Sequence, residues 1–299
     1  MSQAFLSEVL CRRQLRSGGW SFFGSEQASI EVSCLSSLAL AAECLGSASR
    51  GIGFLLNSQL HAGDWPSFEG DLEGSWTTAL ALCCLNAVND PSDAREKAYK
   101  WLLEQRGREG HWFWRWKFKS ADRKVQFNAD RYGWPWTPGA NSWIIPTGFS
   151  VIGLKQFTVC NQSEASKARL RLGVEMILDR ACPGGGWNEG NSVVYGVPLR
   201  PHVDATAIAL LALQDEERTS TVQACLTWLR KESASIDSAE SLAWCILTLF
   251  VYQERIEDLK SRLAAIVGNG SHIRNNATLA TALLALRCGE MIHPFAMLR

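Results

Sequence analysis

Gln14-Leu15-Arg16-Ser17-Gly18-Gly19-Trp20 recurs as Gln59-Leu60-His61-Ala62-Gly63-Asp64-Trp65. Both fit Gln-x-x-x-Gly-x-Trp. A looser copy runs from Gln105 to Gly110-His111-Trp112 with one residue inserted, and another from Arg180 to Gly185-Gly186-Trp187 without the Gln. Self-similarity of this kind marks stacked copies of one supersecondary unit, each needing its neighbours to bury its apolar face.

Outward from each copy the pattern is constant. The stretches near 4–15, 48–60, 93–105, 164–181, 219–232 and 254–266 are amphipathic, with Arg95, Glu96, Lys97 and Lys100 on one face and Trp101 and Leu102 on the other. The stretches near 29–45, 75–88, 143–157, 204–214, 238–252 and 276–288 are apolar nearly all round and rich in Ala, Leu and Cys. Such helices are buried on every side. Six outer and six inner helices therefore alternate. An open solenoid needs polar capping repeats, and no inner stretch supplies one. The expectation is an all-α fold, a single α6/α6 toroid spanning residues 1–299 as one domain.

The inner stretches also share a phase. Their C-terminal halves read Leu82-Cys83-Cys84-Leu85, Val151-Ile152-Gly153-Leu154, Leu210-Leu211-Ala212-Leu213, Ile246-Leu247-Thr248-Leu249 and Leu283-Leu284-Ala285-Leu286. In the same register toward the N-terminus sit Trp76, Ile145, Asp204, Glu240 and Ala277. These positions are expected at one mouth of the barrel, with Glu31 as a candidate sixth member.

Composition narrows the function. The 299 residues are 46% hydrophobic and 20% charged, with a formal net charge of zero. A neutral chain has no general pull on nucleic acid. No apolar run is long enough to span a membrane, and no secretory leader pattern is evident. The 10 cysteines are scattered without a CxxC pair, which fits buried free thiols and a cytoplasmic location. Thirteen tryptophans are the anomaly, and the repeat accounts for part of them.

The Gln-x-x-x-Gly-x-Trp repeats on six hairpins resemble the terpenoid cyclase and protein prenyltransferase superfamily, over nearly the whole chain. The resemblance implies that Gln ties the end of an outer helix to the next hairpin and that Trp20, Trp65, Trp112 and Trp187 are structural. Pro201-His202-Val203-Asp204-Ala205-Thr206-Ala207 is similar to the D-x-D-D-T-A motif of class II terpene cyclases. Asp204 falls on the middle Asp, the proton donor in those enzymes, and Thr206 and Ala207 also match. His202 and Ala205 replace the other two acids. The resemblance thus implies a class II cyclase-like enzyme that protonates an isoprenoid at Asp204 and needs no cofactor.

The chemistry explains the requirement for such an acid. An alkene is a weak base, and burial keeps the proton on a carboxyl by raising its pKa. A second acid at Glu240 acts the same way, whereas the helix N-terminus favours the carboxylate. His202 is a candidate hydrogen-bond partner of the acid. Aromatic faces stabilise the resulting cation, and Trp76, Trp143, Phe149 and Trp244 lie on inner helices. An Asp before an apolar run equally fits an ordinary helix N-cap.

Zinc-dependent protein prenylation is disfavoured, because Thr206 stands where the resemblance requires a Cys ligand and the last inner helix has no His, His272 lying just before it. No metal site is expected, and no DDxxD cluster is present. A toroid with paired carboxylates drawn from Asp71, Glu73, Asp204 and Glu240 remains open as a glycosidase.

Residues 111–141 interrupt the helices. From Trp114, aromatic and basic residues alternate through Arg115, Trp116, Lys117 and Phe118, a period that suits a short β-like strand with Val125-Gln126-Phe127-Asn128 returning beside it. A loop this long in a compact domain is usually functional. It could carry Trp134 and Trp136 to the pocket and turn Arg115 toward an anionic group. One barrel alone encloses little, so the expected partners are an apolar isoprenoid substrate, peripheral contact with a membrane, and a dimer or second barrel protein. The alternative is a non-catalytic toroid that binds an isoprenoid or a protein.

Overall fold

In the computed structural model, which describes residues 3–120, 126–157, 163–268 and 273–297, helices alternate between two concentric layers. The outer helices are α1 (Gln3–Arg12), α3 (Leu45–Asn57), α5 (Ala94–Glu104), α8 (Glu164–Asp179), α10 (Ser220–Ser233) and α12 (Glu257–Gly268). The inner helices are α2 (Ile30–Leu40), α4 (Thr77–Ala87), α7 (Ile144–Phe157), α9 (Val203–Ala212), α11 (Ala239–Val251) and α13 (Asn276–Leu286). Each inner helix packs on the next, and α13 returns to α2, which closes the ring. The expected all-α toroid is the observed fold. Among the described residues no helix is long and apolar enough to cross a membrane.

The helix ends are written locally. Ser29, Ser163, Thr219, Ser238 and Asn275 precede α2, α8, α10, α11 and α13, and each side chain accepts a first-turn amide. Caps of this kind contribute about 1 kcal/mol each. The inner helices are buried almost throughout, so packing rather than propensity holds them. Small residues set their spacing. A Cβ added at Gly148 on α7 would lie 2.6 Å from Ile208 Cγ2 on α9.

The repeat is a tie between layers. Gln14 Nε2 donates to Gly18 O at 2.7 Å and to Ser47 O at 2.9 Å. Gln59 Nε2 donates to Gly63 O at 2.9 Å and to Ala94 O at 3.0 Å. Gly18 and Gly63 have φ of 96° and 95° and sit against the backbone of Arg50 and Lys97, where a side chain would collide. Trp20 Nε1 donates to Leu10 O at 2.8 Å, and Trp65 Nε1 to Leu55 O at 2.7 Å. Trp187 Nε1 donates to Ile177 O at 2.6 Å. All three indoles are fully buried.

The third copy corrects the sequence reading. Trp112 is 71% exposed. The equivalent indole is Trp134, whose Nε1 donates to Leu102 O at 2.8 Å. Arg169 of α8 supplies the tie: its Nη2 donates to Gln105 O and Gly133 O, both at 2.8 Å, and its guanidinium lies 3.4 Å from the Trp134 ring centroid. A long insertion separates Gln105 from Gly133 within this repeat, which hid the true partner.

The insertion is helical where a strand was expected. Trp112–Ser120 forms α6, and Trp114 meets Phe118 one turn on, with ring centroids 6.3 Å apart. A two-residue alternation over so short a run also places rings four residues apart, which a helix satisfies equally. Val125 lies outside the described residues. Among those described, the one sheet is a hairpin of β1 (Val193–Val194) and β2 (Val197–Pro198), turned by Tyr195 and Gly196 at positive φ.

Ring closure is polar as well as apolar. Asn276 Nδ2 donates to Ser21 O at 2.8 Å, and Arg13 Nη1 donates to Asn276 Oδ1 at 3.0 Å. Arg287 bridges Ala39 O, the Ser7 hydroxyl and Glu43.

Candidate functional site

The repeat places the mouth residues. The backbone N–H of Trp20, Trp65, Trp134 and Trp187 is accepted by Ser33 Oγ, Thr78 Oγ1, Thr147 Oγ1 and Thr206 Oγ1 at 2.9, 2.9, 2.9 and 2.8 Å. Two residues before each hydroxyl stand Glu31, Trp76, Ile145 and Asp204. Glu31 therefore does share the register. Glu240 on α11 and Thr278 on α13 complete the mouth, because the Thr278 hydroxyl donates to Glu240 Oε2 at 2.9 Å. The six are half-buried, whereas Ala277, expected on this ring, is buried and yields the place to its neighbour.

Following the ring, one arc carries Asp204, Glu240, Thr278 and Glu31 on consecutive inner helices, and the other carries Trp76 and Ile145. The mouth is acidic on one side and apolar on the other. Burial pushes the Glu31 carboxyl up to about 7, with Glu240 adding repulsion. Burial also raises Asp204, opposed by a hydrogen bond from Ser241 and by His202. Glu240 is raised by burial, opposed by the Thr278 bond and aided by the Asp204 charge. In all three, burial is the largest cause of the shift and favours the neutral acid.

Asp204 is not a helix cap. The N-cap of α9 is His202, and Asp204 lies inside the first turn. Its Oδ1 is buried without a hydrogen-bond partner. His202 itself turns outward: the ring is exposed, with Nδ1 3.2 Å from Glu189 Oε1. Asp71 and Glu73 are exposed, which leaves Asp204, Glu240 and Glu31 as the grouped carboxylates. Among the described residues no three His, Cys, Asp or Glu side chains converge as a metal-binding group.

Below the apolar arc, rings run along the barrel axis. Trp136 meets Trp76 edge-on, with centroids 5.1 Å apart, and Trp76 N donates to Trp136 O at 2.9 Å. Trp76 lies 5.8 Å from Phe149, which lies 5.7 Å from Trp244. Of the aromatic candidates, Trp76, Trp136, Phe149 and Trp244 are thus brought together. Trp134 is removed from them by its structural role. Trp143 is half-buried and covers Gly190. Arg115 stays on the insertion, 3.6 Å from Asp130 Oδ1.

No protein-family model matches this chain, and no curated protein matches it significantly. Solved structures do. The chain is similar to a novel α-amylase from Clostridium perfringens, with a TM-score of 0.65 and 10% identity over 96% of this chain and 97% of that one. It is similar to the type II terpene cyclase MstE from Scytonema, with a TM-score of 0.60 and 13% identity over 97% and 98%. A sugar epimerase from a ruminal bacterium aligns with a TM-score of 0.55 and 11% identity over 89% and 84%. At these identities the likeness is one of fold.

Besides Arg169 and Thr278, two further residues escaped the sequence reading. Ser241 is an ordinary first-turn serine until its neighbour Asp204 on the adjacent helix α9 is known. Phe295 lies beyond the last repeat, yet its ring is fully buried in the lumen, 5.7 Å from Phe149 and 5.5 Å from Trp244. No periodicity marks it. A lone Phe in a Pro-containing tail was the available signal.

Proposed function

We propose that the protein is a cyclase of the acid-initiated kind, acting on a linear isoprenoid with Asp204 as the proton donor. The observation that carries this is the placement of Asp204. Its raised pKa, its unpartnered buried oxygen and its position at the mouth of an aromatic-lined barrel suit a neutral acid. The proton passes from the Asp204 carboxyl to an alkene carbon or an epoxide oxygen. The resulting cation is attacked by further double bonds of the same chain, and a proton is lost from the last cation. Trp76, Phe149 and Trp244 offer the faces that stabilise it. Glu240 on the next helix is raised by burial and by the Asp204 charge, which disfavours ionising both acids together. The solved complex of the MstE cyclase with geranylgeranyl dihydroxybenzoate supports a prenylated substrate by analogy of fold.

The test is incubation of the purified protein with linear isoprenols, epoxides and prenylated aromatics, followed by product analysis. Cyclic products that disappear in Asp204→Asn support the assignment. Undiminished cyclisation by that variant removes Asp204 from the role.

A second reading is a non-catalytic toroid that binds an isoprenoid or a protein. It is favoured by the filled axis, in which Phe295 occupies space between Phe149 and Trp244. Tight isoprenol binding without conversion under every condition would select it.

A further inference from the structure

Each connection from an outer helix to the following inner helix lies at the mouth end of the ring, because it leads to an inner-helix N-terminus. The longest of them, between α5 and α7, carries α6, and none of the 9 residues of α6 is buried. Trp114 and Phe118 are half-buried, and Phe118 meets Phe127 with ring centroids 5.3 Å apart. On the other face Trp112, Phe113 and Trp116 are 71%, 45% and 62% exposed. Their rings adjoin in turn, with centroids 5.9 Å apart for Trp112 and Phe113 and 6.4 Å for Phe113 and Trp116. The three form one continuous aromatic patch open to solvent, and patches of this kind mark interaction sites.

The patch is also basic. α6 carries Arg115, Lys117 and Lys119 and no acid, in a chain whose formal net charge is zero. Asp130 holds Arg115 and Lys119, at 3.6 and 2.5 Å. Lys117 Nζ lies instead 4.7 Å from the Trp114 ring centroid, where the Arg108 guanidinium joins it at 5.0 Å. Gln126 N donates to Val193 O at 3.3 Å, which joins the insertion to the β1–β2 hairpin. That hairpin and the residues after it present Tyr195, Val197 and Arg200 to solvent. The neighbouring mouth-side connection, between α3 and α4, bears Glu69, Asp71 and Glu73 around its exposed Phe68 and Leu72. Exposed rings and positive charge thus coincide on the α6 side of the mouth face.

We propose that α6, flanked by the hairpin, docks the mouth face of the toroid on an anionic lipid surface. Interfacial helices bury Trp and Phe at the level of the head groups, and neighbouring Lys and Arg draw them to acidic lipids. Trp112, Phe113 and Trp116 are the inserting groups, and Lys117 is the cation that meets the head groups. Stacking on single-stranded nucleic acid uses open ring faces, whereas Trp112 and Phe113 meet edge to face at 82°. The proposal concerns this surface alone and stands whether or not Asp204 reacts.

The experiment measures partition of the full chain onto vesicles by co-sedimentation, with phosphatidylcholine alone and with phosphatidylserine added. Binding is expected to be roughly ten-fold tighter on the anionic vesicles, the increment of one or two cations near the surface. Trp112→Ser, Phe113→Ser and Trp116→Ser together should weaken it by roughly ten-fold or more, and Lys117→Glu should remove most of the preference for anionic vesicles. Met291→Ser with Ile292→Ser alters exposed apolar residues at the opposite end of the ring and should bind as wild type does. Denaturation midpoints show that each variant is folded. Should the triple variant fail to fold, Lys117→Glu and Trp112→Ser carry the test. Undiminished binding by the α6 variants, an equal loss in the far-end variant, or equal binding to both kinds of vesicle overturns the proposal. So does binding of oligouridine more tightly than vesicles with the same sensitivity to the α6 variants, which assigns the patch to RNA. Self-association that the α6 variants disperse overturns it too, and assigns the patch to a second copy of the chain.

Discussion

Thr206 Oγ1 accepts the Trp187 N–H at 2.8 Å, and it lies within hydrogen-bond reach of Trp187 O at 3.4 Å. The threonine of the acidic motif is therefore a joint of the repeat, equivalent to Ser33, Thr78 and Thr147. Asp204 is aimed from this joint. Thr206→Val leaves a buried amide unpaired and should cost about 1–3 kcal/mol of stability, while Thr206→Ser keeps the bond and costs less. Urea unfolding of the two variants checks this. Equal losses would mean the methyl group, not the hydroxyl, matters at this position.

The assignment of the third repeat makes a sharper contrast. Trp134→Phe removes the indole donor to Leu102 O and should cost about 1–3 kcal/mol. Arg169→Met strands Gln105 O and Gly133 O and should cost a similar amount. Trp112→Ser, on an exposed face of α6, should stay within about 0.5 kcal/mol of wild type. Denaturation midpoints rank the three directly, and a larger loss at Trp112 than at Trp134 would restore the sequence-based alignment.

That misalignment shows where sequence reading ran out. Buried helices announce themselves by being apolar on all faces, and the two strict repeats fixed hairpin register, so the ring, its closure and the mouth position of Asp204 and Glu240 were legible. The third repeat was not, because an insertion moved Trp134 far from Gln105 and a nearer Trp112 offered a false match. Substitution of the tie by Arg169, from another helix, left no trace in the local pattern. The strand expected after Trp114 failed because aromatic residues two apart are also four apart. Phe295 was invisible for a different reason: its burial depends on backbone hydrogen bonds to Gln156 and Gln214, which act from the ends of distant helices.

Glu31 links the acidic arc to stability. Its carboxyl sits near 7 in the folded chain against an ordinary value of 4.5, so the folded state holds a proton that the unfolded state has released. Stability from this group is full below about 4.5 and declines as pH rises toward about 7, by up to about 3 kcal/mol. Glu31→Gln cannot ionise and should escape the decline. Between about pH 5 and about pH 8 the variant should therefore gain on wild type by up to about 3 kcal/mol. Chemical denaturation at the two pH values measures it. A constant difference between the two proteins would show that Glu31 titrates normally.

Ser241 offers a way to move the proposed acid without deleting it. Its hydrogen bond to Asp204 favours the carboxylate and works against burial. Ser241→Ala removes that bond, so the Asp204 carboxyl should hold its proton to a higher pH. If protonated Asp204 initiates the reaction, the rate falls as pH rises through its pKa, and the variant shifts this falling limb upward. Loss of a neutral hydroxyl on α11 disturbs the fold little, because Ser241 is half-buried and the Ser238 cap of that helix remains. The pH dependence of product formation in wild type and Ser241→Ala decides the matter. A limb that stays in place, or moves down, would mean that the group controlling the rate is not Asp204.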